Sequence, residues 1–461
     1  MNVHFIAIGG AVMHNLAIAL HKKGYEVSGS DDEIFEPSRS RLASYGLLPE
    51  KQGWNPARIT PDLDTVILGM HAREDNPELI RARELGLQIQ SFPEFLYEQT
   101  RKKIRVVIGG SHGKTTITSM IMHVLKYHAV AFDYMVGSIV DGFETMVGLN
   151  ESSGIAVFEG DEYLSSALDR RPKFHLYKPH IALISGIAWD HMNVFPTYEN
   201  YLEQFRIFID KTQVGGSLIY SADDPEVRNL VKSSGRLLDF IPYHGHPYRI
   251  WEGKTYLIDD DKEYPVSIFG HHNMQNINGA KRVCEMFGIS NEMFYLAIQS
   301  FKGAGKRMQL LEENEQTSVF LDFAHAPSKV KATTSALKEQ YPERWLTAVL
   351  ELHTFSSLNA DFLPLYEATM VEADKPIVYF NPETVAHKKL PEISVDQVKN
   401  AFKQPDLWVY NDAGKLVKDL LNSGWKGSNL LIMTSGNFDG QDLHALAESI
   451  TSQENQDHLP V

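Results

Sequence analysis

The stretch IRVVIGGSHGKTTITSMIMHVLK, residues 104–126, constrains this chain more than any other. A run of branched apolar side chains is followed by a glycine-rich turn. Apolar residues then recur at Ile117, Met120, Ile121, Val124 and Leu125. The run reads as a buried strand and the recurrence as one face of a helix, so the segment is strand–loop–helix. A strand that feeds a helix in this way returns by a crossover to a parallel neighbour, which points to an α/β sheet. Backbone N–H groups curled at a helix N-terminus also make a cradle for an anion. The usual phosphate loop, G-x-x-x-x-G-K-[ST], would need a glycine at position 108, where Ile108 stands. Gly110, Gly113, Lys114 and Thr115 instead keep a shorter order, G-S-H-G-K-T. With strand before and helix after, the loop reads as shortened, not broken. Lys114 is then expected at the β/γ-phosphates of a nucleotide, and the Thr115 hydroxyl on Mg²⁺.

The same alternation extends along the chain. Residues 3–8, VHFIAI, form an apolar run that ends at Gly9 and Gly10, followed by an amphipathic stretch to about Lys23 and a second strand, YEVSGSD. Asp31 lies about twenty residues beyond the glycines, where an acid meets a ribose hydroxyl in a Rossmann-like unit. The third glycine of that fingerprint is absent, so a turn that only packs helix on sheet is the alternative. TVILGM and a helix near NPELIRARELG complete this unit, and the basic RKK at 101–103 marks a boundary near 103. GIAVFEGDE, HIALISGIAWDH and a helical run from Tyr198 follow the phosphate loop. Near 303 the glycine-rich FKGAGKR interrupts the pattern. SVFLDFAHAP, WLTAVLEL, KPIVYF and NLLIMTSG then alternate with helices. The expectation is an α/β protein of three domains: a Rossmann-like domain at 1–103, a phosphate-loop domain with a mainly parallel sheet at 104–302, and a second Rossmann-like domain at 303–461.

Charge narrows the ligands. At −15 the chain is a poor match for nucleic acid or an anionic membrane. Phosphates or carboxylates must therefore be held by local cations, metal ions and helix N-termini. The single cysteine, Cys284, excludes an internal disulfide framework and fits a reducing compartment. No apolar run approaches the roughly 18–20 residues of a membrane span, and the N-terminus lacks the basic region of a signal peptide. A soluble, cytoplasmic protein is expected.

Seven ordered motifs resemble those of the Mur ligase superfamily, ATP-dependent amide-forming enzymes of peptidoglycan synthesis. The loop is similar to G-T-x-G-K-[ST], FEGDEY to E-A-D-E, and WDHMNVF to D-H-M-D. GHHNMQN is similar to G-x-H-N-x-x-N, GKR to G-R-R, and LDFAHAP to D-Y-G-H-H-P, while GYEVSGSD and NPEL resemble the UDP-binding domain. The resemblance implies that ATP phosphorylates the lactyl carboxylate of UDP-N-acetylmuramate and that an amine displaces phosphate from the acyl phosphate. It assigns Gly110, Ser111, His112, Gly113, Lys114, Thr115 and Thr116 to the nucleotide phosphates. Thr115 and Glu159 hold Mg²⁺, and His191 contacts a second ion. Asn273 is expected at the adenine or a phosphate, with Asn276 either beside it or capping the helix. Arg307 is expected on the γ-phosphate and Asp322 on the ribose, both across the proposed boundary, so that ATP closes the last domain and excludes water. His325 either assists amine deprotonation or orients Asp322. Gly9, Gly10, Asp31 and His71 are expected around the UDP moiety.

Departures from the family pattern are informative. Ala7 and Val12 stand where alanine-adding members commonly have glycine. Phe205 and Arg206 occupy the region of a lysine that several members carbamylate, so no carbamylation is expected. LHTFSS keeps His353 but has Thr354 and Ser357 where alanine-adding members carry arginines, and loss of an arginine fork is not conservative. DEYLSSALDRRPKFHLYKP and MTSGNFDG resemble the branch of the family that recycles peptide. The expected acceptor is L-Ala-γ-D-Glu-meso-diaminopimelate, with L-alanine as the alternative. A different amide ligase of the folylpolyglutamate or cyanophycin type, or a catalytically silent UDP-sugar or ATP sensor, are further readings. The sequence leaves monomer or homodimer open.

Overall fold

The structure is a computed structural model. It describes residues 1–70, 72–189, 194–305 and 307–453. His71 and His191 therefore lie outside the described residues. The protein is α/β with mainly parallel sheets, as its alternating pattern implies.

The first sheet is built from β1 (Asn2–Ile6), β2 (Glu26–Ser30), β3 (Thr65–Leu68) and β4 (Ile89–Ser91), ordered β2-β1-β3-β4 and parallel throughout. The helix Ala11–Lys22 crosses between the first two strands, with Leu16, Ala17, Ile18 and Leu20 buried. The helix Pro77–Glu84 begins on the Asn76 side chain, which accepts from the Glu78 and Leu79 N–H groups. Such a cap stabilises a helix by about 1 kcal/mol.

The second sheet has seven strands: β5 (Ile104–Gly109), β6 (Asp133–Met135), β7 (Val147–Gly148), β8 (Ile155–Glu159), β9 (Ile181–Ile184), β10 (Ser217–Ser221) and β11 (Asp239–Tyr243). Their order is β11-β10-β9-β5-β8-β6-β7, with only β7 antiparallel to its neighbour. The chain leaves β5, returns on one side as β8 and crosses to the other side as β9. This reversal opens a crevice at the C-terminal ends of β5, β8 and β9, where ligands bind in such sheets.

A three-stranded antiparallel sheet follows, β12 (Tyr248–Trp251), β13 (Lys254–Asp259) and β14 (Lys262–Val266), an element absent from the sequence expectation. The last sheet comprises β15 (Gln309–Glu313), β16 (Ser318–Asp322), β17 (Trp345–Leu352), β18 (Lys375–Phe380), β19 (Trp408–Tyr410) and β20 (Ser428–Met433). It is ordered β15-β16-β20-β17-β18-β19, with β15 antiparallel and the rest parallel. Its two faces carry separate cores, one around Phe320, Leu350 and Tyr366, the other around Val349, Tyr379 and Leu416.

The chain divides into two compact units. The first comprises Met1–Ile187, Thr197–His244 and Asn278–Ala297, and holds the first two sheets. The second comprises Ala188–Pro196, Gly245–Ile277 and Ile298–Val461, and holds the other two. Among the described residues no helix is long and apolar enough to cross a membrane.

Candidate active site

In the first unit the phosphate loop turns directly off β5 into the helix Lys114–Tyr127. Gly113, at the helix N-cap, has φ +75°, and Gly110 has φ +136°. A Cβ at Gly110 would stand 2.1 Å from Ser185 Oγ and 3.1 Å from the Ser185 backbone nitrogen. This is why the loop needs glycine there: L side chains rarely adopt the backbone, and the next strand's end leaves no room. Ser185 in turn donates to the His112 carbonyl, and the Ser111 N–H donates to the Gly186 carbonyl at 3.0 Å, so the end of β9 braces the loop.

The Lys114 ammonium lies 2.7 Å from Glu162 Oε2 and donates to the Gly110 carbonyl at 2.6 Å. Burial opposes its charge, but Glu162, Asp161 and Glu159 together hold its pKa above the ordinary lysine value. Thr115 Oγ1 donates to Glu159 Oε1 at 2.9 Å, and the Gly137 N–H donates to Glu159 Oε2 at 2.6 Å. Burial raises the Glu159 pKa against the pull of Lys114. A hydroxyl and a buried carboxylate in contact at a phosphate loop are hard oxygen donors suited to Mg²⁺, and a cation there would relieve the buried charge. Among the described residues no group of three or more His, Cys, Asp or Glu side chains is arranged to hold a metal. A magnesium ion held by Thr115 and Glu159 would complete its shell with phosphate and water, as that ion commonly does. Ser111 and Thr116 are buried in the same loop and its helix.

Two members of this cluster were not singled out in the sequence. Glu162 is buried and takes Lys114 directly, and Tyr201 bridges it to the loop. The Tyr201 hydroxyl stands 2.9 Å from Ser111 Oγ and donates to Glu162 Oε1 at 3.1 Å. The run of acids in FEGDEY was a usable signal for Glu162. Tyr201 had none, since it sits as an ordinary apolar position of the helix Tyr198–Lys211.

At the C-terminal edge of the first sheet, the Gly9 N–H donates to Asp31 Oδ2 at 2.8 Å, and the Asp32 N–H donates to Oδ1 at 3.0 Å. Asp31 thus ties the glycine turn to the end of β2. Ala7 has φ +72°, a left-handed backbone that ordinarily favours glycine. His14 Nδ1 lies 2.9 Å from the Gly10 carbonyl, and burial lowers its pKa. Asn15 Oδ1 accepts from Arg41 and from the Met146 N–H, and Arg41 also donates to the Glu144 carbonyl. These bonds fasten the first sheet's helices to the segment before β7. Phe205 is buried, and Arg206 pairs with Glu203.

In the second unit Asp322 ends β16 with both oxygens engaged: the Met308 N–H donates to Oδ2 at 2.6 Å and the Ala324 N–H to Oδ1 at 2.7 Å. Burial raises its pKa, opposed by the charge of Arg307. The Arg307 guanidinium stacks over Phe323, 4.8 Å from the ring centre. His325 Nδ1 lies 2.8 Å from the Phe323 carbonyl. Asn273 donates to the Phe269 carbonyl at 2.9 Å and accepts from Asn276 at 3.2 Å, so Asn276 braces Asn273 and does not cap the helix. His353, just past β17, has Nδ1 3.6 Å from Glu351 Oε1. Glu351, a further residue the sequence reading passed over, is 2% exposed and accepts from Thr434 and from the Phe438 N–H. A buried acid inside WLTAVLEL was its signal.

The profile described as Mur ligase family, catalytic domain, matches residues 2–103, Mur ligase middle domain matches 108–284, and Mur ligase, glutamate ligase domain, matches 306–438. A UDP-N-acetylmuramate–L-alanine ligase of Limosilactobacillus reuteri is 31% identical over 387 residues, covering 81% of this chain and 84% of the relative. This chain belongs to the Mur ligase family. As a Mur ligase it is an ATP-dependent amide ligase. It is also similar to the UDP-N-acetylmuramate–L-alanyl-γ-D-glutamyl-meso-2,6-diaminoheptandioate ligase of Escherichia coli, 26% identical over 454 residues, covering 95% of this chain and 96% of that one. The Mur ligase fold recurs in a murein peptide ligase structure from Psychrobacter arcticus, with TM-score 0.66, 22% identity, and coverage of 99% of this chain and 100% of the other. It recurs too in a UDP-N-acetylmuramate–alanine ligase from Thermotoga maritima, with TM-score 0.70, 20% identity and 98% coverage of both.

Proposed function

We propose that this Mur ligase joins the lactyl carboxylate of UDP-N-acetylmuramate to the amine of L-Ala-γ-D-Glu-meso-diaminopimelate, a step of peptidoglycan recycling. The observation that carries this reading is the loop after β17. Thr354 and Ser357 replace the arginines of alanine-adding members, and their groups satisfy each other. Thr354 Oγ1 donates to Ser357 Oγ at 3.0 Å, the Ser357 N–H returns to Thr354 Oγ1 at 3.0 Å, and the Thr354 N–H donates to Ser357 Oγ at 2.9 Å. This closed turn offers no guanidinium to the carboxylate of a free amino acid. A tripeptide brings several carboxylates and a long contact surface, and binding energy from those remote parts can position its amine. The relative from L. reuteri, an alanine ligase, favours L-alanine as the second reading.

In the proposed reaction a carboxylate oxygen attacks the γ-phosphorus of ATP and ADP departs. The amine nitrogen then attacks the acyl carbon, phosphate departs, and the nitrogen loses a proton. Lys114 supplies positive charge where phosphate charge develops, which is the largest kind of stabilisation such sites provide. Thr115 and Glu159 would hold Mg²⁺, which when bound neutralises phosphate charge. We assign the loop residues Gly110–Thr116 to the phosphates, and Gly9, Gly10 and Asp31 to the UDP moiety. Asn273, Arg307 and Asp322 are assigned to the nucleotide, and His325 and His353 to the acceptor. We also propose the divisions near 103 and 302 as domain boundaries. Phosphate release dependent on UDP-N-acetylmuramate, ATP, Mg²⁺ and tripeptide, with the ligated product identified by mass, tests the reading. Lys114→Ala should lower this rate by about 10²-fold or more. No product with either acceptor, or unchanged turnover in the variant, overturns it.

A further inference from the structure

Three acids lie near Lys114, but they are engaged differently. Glu159 is taken by Thr115 and Gly137, and Asp161 lies 2.5 Å from Lys173 Nζ. Glu162 makes the direct ion pair with Lys114, at 2.7 Å, and its side chain is fully buried. Its other oxygen accepts from Tyr201, whose hydroxyl also meets Ser111 in the phosphate loop. The ammonium is therefore folded back on its own loop, between the Glu162 carboxylate and the Gly110 carbonyl. Phosphates that reach this loop would compete with both partners for the ammonium.

We propose that Glu162 is a positioning residue that pairs with Lys114 and competes with phosphate for it, and that Tyr201 holds Glu162 for this task. The proposal rests on the nucleotide reading of the loop. A buried carboxylate loses its paired cation when the ammonium turns to phosphate, and a buried charge left unpaired is costly. The same carboxylate repels the incoming phosphates. Nucleotide binding carries both costs, so removing the charge of Glu162 makes binding tighter. A merely structural Glu162 gives the opposite sign, because a damaged loop binds worse.

The test is calorimetry of MgADP with the full-length wild-type, Glu162→Gln and Tyr201→Phe proteins, with UDP-N-acetylmuramate affinity as a control. Glu162→Gln should lower the ADP Kd about tenfold, the scale of a lost buried pairing penalty. Tyr201→Phe, which takes a donor from the carboxylate and leaves it more dependent on Lys114, should raise it about two- to fivefold. The UDP-N-acetylmuramate Kd should stay within about twofold in both. If Glu162→Gln does not fold, Glu162→Asp, whose shorter side chain draws the carboxylate back from Lys114, should lower the ADP Kd in its place. An unchanged or weakened ADP affinity in a folded Glu162 variant, or a tightened one in Tyr201→Phe, overturns the proposal. Failure of the wild-type chain to bind MgADP overturns the nucleotide reading of the loop, and the proposal falls with it.

Discussion

Gly110→Ala concentrates its damage in the phosphate loop. The new methyl would enter a backbone with φ +136° and meet Ser185 Oγ at 2.1 Å and the Ser185 nitrogen at 3.1 Å. The backbone conformation alone costs about 1–3 kcal/mol for an L residue. Ser185 cannot turn aside without leaving the His112 carbonyl, a loss of about 1 kcal/mol. The sum is about 2–4 kcal/mol, and it falls on N–H groups that must all face one anion. If the loop yields and the sheet does not, MgADP affinity weakens between about thirtyfold and several hundredfold. UDP-N-acetylmuramate affinity should not change, because its assigned residues lie at the end of another sheet. Calorimetry with each ligand separately gives both numbers. Adding Ser185→Ala removes the Oγ collision but not the close backbone nitrogen, so recovery should be partial. A Gly110→Ala protein that binds MgADP within threefold of wild type would refute this account of the loop.

Glu159→Gln should raise the Mg²⁺ concentration for half-maximal activity by at least about tenfold, the scale set by the outer partners of bound metals. UDP-N-acetylmuramate affinity without nucleotide should be unaffected, and an equal loss there would contradict the separation of the two sites. A third expectation concerns acid stability. His175 is buried against Phe174, lies 2.8 Å from the Gln204 carbonyl, and burial pushes its pKa down to about 4. The unfolded chain binds the proton more readily, so the stability contributed by neutral His175 is complete above the ordinary histidine pKa and is lost as pH falls from about 6.5 towards about 4. Between pH 7.5 and 5.5 the loss is about 1 kcal/mol. Urea unfolding of wild type and His175→Gln at the two pH values should show a smaller decline in the variant; identical declines would remove His175 as the cause.

The elements legible in the sequence were those with a strong period. VHFIAI, IRVVI, IALI and NLLIM are apolar runs that end at glycine, serine or threonine, and each became a buried parallel strand. The antiparallel β12–β14 escaped notice because YRIW, KTYLID and KEYPV mix charge and aromatic residues on strands that are only half-buried. β15 and β19 were missed for the same reason, one mixed with glutamates and the other only Trp408–Tyr410. Within the site, loop spacing singled out Lys114 and Thr115, and the resemblance carried by FEGDEY singled out Glu159. Glu162 meets Lys114 directly and Tyr201 through a hydrogen bond that joins residues 39 apart in sequence. Only the sheet's crossover brings them together, and no local pattern encodes that. Ala7 shows the converse: the sequence marked it as a departure, and its positive φ supplies the reason.

The proposed acceptor is tested most directly by the ratio of kcat/KM for L-Ala-γ-D-Glu-meso-diaminopimelate over that for L-alanine, at fixed ATP, Mg²⁺ and UDP-N-acetylmuramate. A missing guanidinium contact to a carboxylate discriminates by on the order of 2–3 kcal/mol, or about a hundredfold. With Thr354 and Ser357 closed on each other, the ratio should reach that scale in favour of the tripeptide. A ratio near or below one would contradict the assignment and make L-alanine the acceptor.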